Sequence, residues 1–247
     1  MRSWPLRAQL LLLLAAVQLI PLAAVLIWGQ LYGRHARMAA EQHLAVAARQ
    51  VASLIDDYLT EHRQAIDALA VSGAPGGAAA RGALERFHQR YPGFLTVMVT
   101  NRAGEVVAVS APSAGDTLLR SSHLLVADRA YFQVPMRLGG SFVSGAFRGR
   151  GLGSDPIVAI SAALTGPGGS REGVVEGSLD LGRFAFGERD FPHLESLRVV
   201  ISDDSDAVVY GGYDNLYSPL EHLGRRGLGS LLVARGDTLA TLPDSAD

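Results

Sequence analysis

The sequence predicts an α+β fold, and three observations support this. A proline-free stretch rich in Ala, Arg, Gln, Glu and Leu runs from Gly33 to Gly73, and such a composition favours helix. Five β-rich runs follow between residues 94 and 181, with turn-rich segments among them. A hairpin at each end of this set and an irregular excursion in its middle indicate an antiparallel sheet accompanied by helices.

The first element is an apolar stretch of membrane length. No residue from Ala8 to Trp28 is charged, and a helix of this length, at about 1.5 Å per residue, matches a hydrocarbon core roughly 30 Å thick. Two arginines precede the stretch, which favours a cytoplasmic N-terminus. We therefore expect residues 1–7 to be cytoplasmic and residues 8–29 to form a transmembrane helix. A cleaved signal peptide is the alternative, but its apolar core is usually only about 7–15 residues long.

The next segment predicts a long helix outside the membrane. Apolar residues recur at spacings of three and four from Leu44 to Leu69 and form one stripe. We expect a signalling helix over residues 30–72, with this stripe facing either a partner subunit in a homodimer or its own domain. The breaker run Ser72 to Ala80 ends this helix, and a short helix is expected over Gly82 to Arg90.

Two sets of strands follow these helices. The five predicted strands of the first set are Phe94–Thr100, Glu105–Ser110, Ser141–Arg148, Ile157–Leu164 and Val174–Leu181. The second set contains Leu197–Ser202 and Ala207–Tyr210 around a turn of aspartates and a serine, with a third strand over Gly229–Ala234. We expect one complete module over residues 82–186 and a partial second module over residues 195–247.

Composition excludes several classes of function. The net charge is −2 with both signs interspersed, which argues against a nucleic-acid-binding protein. Cysteine is absent, which excludes disulfides and thiolate chemistry. The seven histidines are scattered, and the turn Asp203 to Asp206 lacks the remaining ligands of a calcium loop. We therefore expect no catalytic residues, no metal site and no cofactor in these residues.

The order of these parts resembles the Cache sensor domains of bacterial transmembrane receptors, whose sheet is PAS-like. The motifs that carry the resemblance, in chain order, are Asp128-Arg129-Ala130-Tyr131-Phe132, Phe142-Val143-Ser144 with Arg148-Gly149-Arg150, Pro156 to Ser161, and Gly173 to Leu181. The match extends over about Gly33 to Phe184 and is poor over Leu197 to Leu239. The resemblance implies that residues 82–186 are the membrane-distal module of a double Cache domain and that residues 195–247 begin the membrane-proximal one.

The resemblance also implies a ligand-binding site. In amino-acid-binding members, an Arg and an aromatic residue hold the ligand carboxylate, and an Asp at the end of the last strand holds the amine. Arg129, Tyr131 and Asp180 occupy these positions. The full amino-acid signature has a Trp and a further Tyr where this chain has Tyr131, Phe132 and Phe142. An organic acid is therefore at least as well supported as an α-amino acid.

Each candidate also has a purely structural interpretation. Arg129 offers a planar donor fork to a carboxylate, but it can instead form a salt bridge to the adjacent Asp128 or to another acidic residue. Tyr131 can pack half-buried, Phe132 favours a core position, and Asp180 can cap its strand. The remaining candidates are Phe142 and Ser144, which can face the cleft, and Arg148, which with Arg150 forms either an anion site or a solvated hairpin tip.

These observations predict a periplasmic sensor in the bacterial inner membrane that binds a small metabolite and is not itself an enzyme. We expect a homodimer whose long helix transmits the signal to a cytoplasmic output domain. A histidine kinase is the first expectation for that domain, and a diguanylate cyclase or a chemoreceptor is the alternative. If the coding sequence ends at Asp247, a standalone membrane-anchored accessory binding protein is the further alternative.

Overall fold

A computed structural model describes residues 5–73, 78–110, 124–150, 152–181, 199–211 and 217–226. The chain divides into two compact units, one within residues 1–53 and the other over Leu54–Ala240. Helix α1 (Leu6–Val71) contributes its first part to the former unit and its last turns to the latter. It ends next to the predicted breaker run, and α2 (Ala78–Arg90) follows.

The helix expected over residues 30–72 is therefore present as the C-terminal part of the longer helix α1. Residues 8–29 are also helical, as expected. Within the described ranges, however, no helix combines the length and the apolar character that crossing a membrane requires. The transmembrane helix expected over residues 8–29 is not confirmed.

All five predicted strands form one antiparallel sheet, in the spatial order β2-β1-β5-β4-β3. Their bounds are Phe94–Thr100 (β1), Val106–Val109 (β2), Ser141–Arg148 (β3), Pro156–Thr165 (β4) and Arg171–Asp180 (β5). The β1–β2 connection is the predicted turn, in which Gly104 takes a positive φ of 82° that favours glycine. The α+β class and the five-stranded sheet are confirmed.

The two faces of the sheet carry separate apolar cores. On one face, Ile66 and Ala70 of α1 and Leu84 of α2 pack against strand residues such as Phe94. Gly177 of β5 makes room here, because a β-carbon at this position would lie 2.5 Å from a ring carbon of Phe94. The other face packs against Tyr131 and Phe132. The end of α1 therefore lies on one side of the sheet, opposite the DRAYF segment.

The irregular excursion expected between the second and third strands contains a helix, α3 (Ala130–Leu138). Sequence analysis missed it because it has only nine residues and includes Pro135. Arg129 has extended backbone angles and precedes the first turn, where its carbonyl accepts hydrogen bonds from the amides of Phe132 and Gln133. Tyr131, Phe132 and Pro135 are buried, so the helix presents its aromatic side chains to the sheet.

The second strand–turn–strand unit is present as β6 (Ile201–Ser202) and β7 (Val208–Tyr210), which pair antiparallel. The Asp203 carboxylate organises the turn between them and also accepts a 2.8 Å hydrogen bond from the amide of Ala146 in β3. It therefore joins this hairpin to the edge of the five-stranded sheet. The predicted third strand, Gly229–Ala234, lies outside the described residues.

Candidate ligand-binding site

A cavity lies on the α3 face of the sheet. It is bounded by β1, β5, α3 and the β3–β4 connection, and it encloses about 500 Å³ counted with its opening to solvent. The remainder of its lining is aliphatic, aromatic or glycine, and its polar lining residues are Thr96, Tyr131, Arg150, Asp155, Glu176 and Ser178.

Aromatic rings form one wall of this cavity. The rings of Tyr131 and Phe147 stack with centroids 5.8 Å apart and planes inclined by 23°. The guanidinium of Arg129 lies 5.7 Å from the centroid of the Phe147 ring, within cation–π range. Burial is the main cause that raises the pKa of Tyr131 above its usual range, with the Glu176 carboxyl adding to it. Tyr131 therefore presents a neutral hydroxyl and a ring.

Asp128 pairs with Arg150 and not with the adjacent Arg129. Asp128 forms an ion pair with Arg150, whose Nη2 lies 2.7 Å from Oδ1 and 3.0 Å from Oδ2. Both side chains are more than half exposed, and the hydrogen bond from Arg150 lowers the pKa of Asp128. Arg150 lines the cavity, whereas Arg129 is not among the lining residues in the described part of the chain. The cation at the cavity is therefore Arg150.

Glu176 places a carboxyl group inside the cavity wall. Its side chain is 1% exposed, and Ser178 donates a 2.8 Å hydrogen bond to its Oε1. Burial raises the pKa of Glu176 to about 8, although the Ser178 hydrogen bond partly opposes this. Among the described residues, no basic side chain forms an ion pair with it. A carboxyl group with this environment is mostly protonated at neutral pH.

Asp180 lies on the same face of the sheet as the cavity. In β5, Glu176, Ser178 and Asp180 alternate along one face because strand side chains have a period of two. Asp180 pairs directly with Ile157, which lines the cavity, and cross-strand partners project to the same side. Asp180 is half-buried, stands two cross-strand pairs beyond Ser178, and is not among the lining residues in the described part of the chain. Sequence analysis singled out Asp180 and overlooked Glu176, although the alternating polar positions in Val-Val-Glu-Gly-Ser-Leu-Asp were a visible signal.

The remaining candidates lie on β3 and near its end. Phe142 is partly buried against the core on the α3 face. The Ser144 hydroxyl donates to the carbonyl of Gly145 and accepts from the amide of Ala159, so it bridges an irregularity in the β3–β4 pairing. Arg148 donates a 2.9 Å hydrogen bond to the carbonyl of Ser154 within the β3–β4 connection. None of these three residues is among the lining residues of the cavity in the described part of the chain.

Solved structures with a similar fold include ligand-binding domains of chemoreceptors. The Pseudomonas fluorescens chemoreceptor CtaA domain in complex with L-serine is 16% identical and has a TM-score of 0.56, covering 77% of this chain and 79% of its own. The amino-acid chemoreceptor PctC domain of Pseudomonas aeruginosa, in complex with GABA, is 17% identical with a TM-score of 0.55, covering 76% and 83%. The chain shares the fold of these domains, which is the Cache-type fold.

A third similar structure is an extracellular ligand-binding receptor from Desulfohalobium retbaense, with 11% identity and a TM-score of 0.61. It covers 75% of this chain and 33% of its own. No protein-family model and no curated protein matches the sequence. The Cache-type fold expected from the DRAYF and strand motifs is thus confirmed by structural similarity, and the identity of the ligand-contacting residues stays a prediction.

Among the described residues, no group of three or more His, Asp or Glu side chains is arranged to hold a metal ion. The cavity has a mixed lining. It combines one exposed guanidinium, one buried carboxyl, hydroxyl groups and an aromatic wall. These groups suit a small molecule that carries charged or polar ends on a short apolar skeleton.

Proposed function

We propose that the chain is the extracytoplasmic sensor region of a bacterial transmembrane signalling receptor and binds a small metabolite, either an organic acid or an amino-acid-like compound. The observation that carries the proposal is the cavity on the α3 face, which brings together Arg150, Glu176 and the stacked rings of Tyr131 and Phe147. A guanidinium suits a carboxylate, because its planar donors match the two oxygens. An aromatic wall suits the short carbon skeleton.

The structurally similar receptors support the choice of ligand class. The CtaA domain was solved with L-serine and the PctC domain with GABA, and both ligands carry a carboxylate and an ammonium group. The cavity of this chain has one basic lining residue, Arg150, and two acidic ones, Asp155 and Glu176. Within the proposal, the amino-acid-like compound is therefore the better fit, and a plain organic acid is the second candidate because it would use Arg150 alone.

The sheet provides a physical route from ligand to helix. Strand β5 contributes Glu176 and Ser178 to the cavity, and its intervening residue Gly177 faces Ile66 of α1 on the opposite side. A ligand that binds one packing of α3 better than another shifts the equilibrium by that difference in affinity. In the proposed mechanism, a repacked β5 biases the end of α1 within a homodimer. The output domain we propose is a histidine kinase, with a diguanylate cyclase or a chemoreceptor as the alternative.

A thermal-shift screen of the full 247-residue chain tests the proposal. The panel contains α-amino acids, ω-amino acids, hydroxy acids, dicarboxylic acids and neutral sugars. We expect members of one charged class to raise the melting temperature in a concentration-dependent manner. Arg150→Ala, Arg129→Ala and Asp180→Ala are expected to weaken this response. A panel in which no compound shifts the melting temperature contradicts the sensor function, and a shift that survives all three substitutions contradicts the site.

A further inference from the structure

The cavity contains a carboxyl group to which neither the fold comparison nor the motif resemblance gives a role. The resemblance places the amine contact at Asp180, at the end of β5. Glu176 lies four residues earlier on the same face of the same strand. It lines the cavity, whereas Asp180 is not among the lining residues in the described part of the chain.

The surroundings of Glu176 have the chemistry of a cation site. Its carboxyl group receives one hydrogen bond from Ser178, and no basic residue pairs with it in the described ranges. Tyr131 and Phe147 line the same cavity and keep this part of its wall apolar. A buried carboxylate needs a positive partner or several donors to be stable. An ammonium group of a ligand supplies both the charge and up to three N–H donors.

Building on the proposed function, we infer that Glu176 is the group that selects the ligand: it binds the ammonium end of an amine-bearing metabolite and releases its proton to solvent as that cation enters. The free protein holds the carboxyl group neutral, and the complex holds a carboxylate–ammonium pair. Binding is therefore coupled to the loss of one proton from Glu176. A hydroxyl in place of the ammonium group gives the carboxylate no charge partner, so the hydroxy analogue leaves Glu176 protonated.

The other charged groups around the cavity have distinct positions. Arg150 and Asp155 lie on the β3–β4 connection, Asp128 and Arg129 precede α3, and Tyr131 is on α3 itself. Arg150 is engaged by Asp128 at the surface. Burial keeps the hydroxyl of Tyr131 neutral across the physiological range, with its pKa raised. Because burial brings the pKa of Glu176 to about 8, this group is the one expected to titrate near neutral pH in the cavity lining that the structure describes.

The expected pH dependence follows from the ionised fraction of Glu176. With a pKa of about 8, roughly 1% of the carboxyl groups are ionised at pH 6 and about half at pH 8. The apparent affinity for a cationic ligand is proportional to the fraction of the protein in which Glu176 is ionised. Between pH 6 and pH 8, the affinity for an amine-bearing ligand is therefore expected to rise about 50-fold. The affinity for a hydroxy analogue is expected to change little over the same range.

Isothermal titration calorimetry on the full chain tests this with two matched probe pairs, L-alanine against L-lactate and 4-aminobutanoate against 4-hydroxybutanoate. Each pair differs only in an ammonium group or a hydroxyl group. Titrations at pH 6, 7 and 8, in two buffers of different ionisation enthalpy, measure both the affinity and the protons released. The variants are Glu176→Gln and the control Glu172→Gln, which changes an exposed glutamate of the same strand.

We expect at least one amino compound to bind better than its hydroxy partner, with proton release and a rise in affinity with pH. Glu176→Gln is expected to remove the proton release and the pH dependence and to weaken amine binding at pH 8 by at least about tenfold, whereas Glu172→Gln changes neither. Equal pH profiles in wild type and Glu176→Gln overturn the inference. Binding of only hydroxy compounds, dicarboxylates or sugars overturns it as well. Either result leaves the proposed sensor function standing. If no compound of the thermal-shift panel binds, the proposed function falls as well.

Discussion

Replacing Glu176 with glutamine is expected to change how the stability of the fold depends on pH, even without a ligand. Glutamine keeps the shape of the side chain and an oxygen that accepts the hydrogen bond from Ser178. The substitution removes only the titration of the carboxyl group at this position. The comparison therefore isolates the cost of ionising a carboxyl group that is 1% exposed.

The magnitude follows from the two pKa values. An ordinary glutamate has a pKa of 4.5, and burial raises that of Glu176 to about 8. Between these values the folded chain holds a proton that the unfolded chain has lost. The free energy of unfolding therefore falls by about 1.4 kcal/mol for each pH unit. The stability from the neutral carboxyl group is fully present below about pH 4.5 and is lost as the pH rises to about 8. From pH 5 to pH 8 the loss amounts to about 4 kcal/mol.

Urea unfolding of the full chain at pH 5, 6, 7 and 8 measures this difference. We expect wild type and the Glu172→Gln control to lose stability in parallel as the pH rises. Glu176→Gln is expected to lose about 4 kcal/mol less over this range, and above pH 8 the gap is expected to stay constant. Parallel pH curves for all three proteins would refute the reasoning, because they would mean that Glu176 ionises equally easily in the folded and unfolded chains.

Three further substitutions test the link between the five-stranded sheet and the β6–β7 hairpin, the packing against β5, and a buried hydroxyl group of β4. Asp203→Ala removes the acceptor for the amide of Ala146, and we expect a loss of about 1–3 kcal/mol with faster hydrogen exchange at that amide; unchanged exchange would contradict the link. Gly177→Ala places a methyl group 2.5 Å from a ring carbon of Phe94, so thermal melts are expected to show a loss of about 1–3 kcal/mol, and a wild-type melting curve would argue against this packing. Ser161→Ala deletes a buried hydroxyl that has no hydrogen-bond partner among the described residues, and chemical unfolding is expected to show unchanged or higher stability, by up to about 1 kcal/mol, whereas a clear loss would reveal a partner.

The sheet was predictable because its strands carry strong local signals. Alternating and β-branched residues between turn segments mark β1 and β3, whose bounds coincide with the predicted ones. Helix α3 was missed since its nine residues include a proline, and its stability comes from packing Tyr131 and Phe132 against the sheet rather than from local propensity. Short elements of this kind depend on tertiary contacts that a single sequence does not reveal.

The site was only partly predictable for a related reason. Tyr131 was identified and lines the cavity. The partner of Asp128, however, is Arg150, 22 residues away, and not the adjacent Arg129. Glu176 lies within an apolar run that predicts a buried strand. Its place in the cavity wall depends on the register of β5 and on α3, which covers that face of the sheet. Such long-range pairings arise from the topology of the whole sheet.

The central claim is that a small charged metabolite binds between the aromatic wall and the carboxyl group of β5. A crystal structure of the full chain with the compound that gives the largest thermal shift tests it most directly. We expect ligand density enclosed by Tyr131, Phe147 and Glu176, with an ammonium nitrogen within hydrogen-bond distance of the Glu176 carboxylate. Ligand density outside this cavity, or a bound ligand that places no cationic group at Glu176, would contradict it.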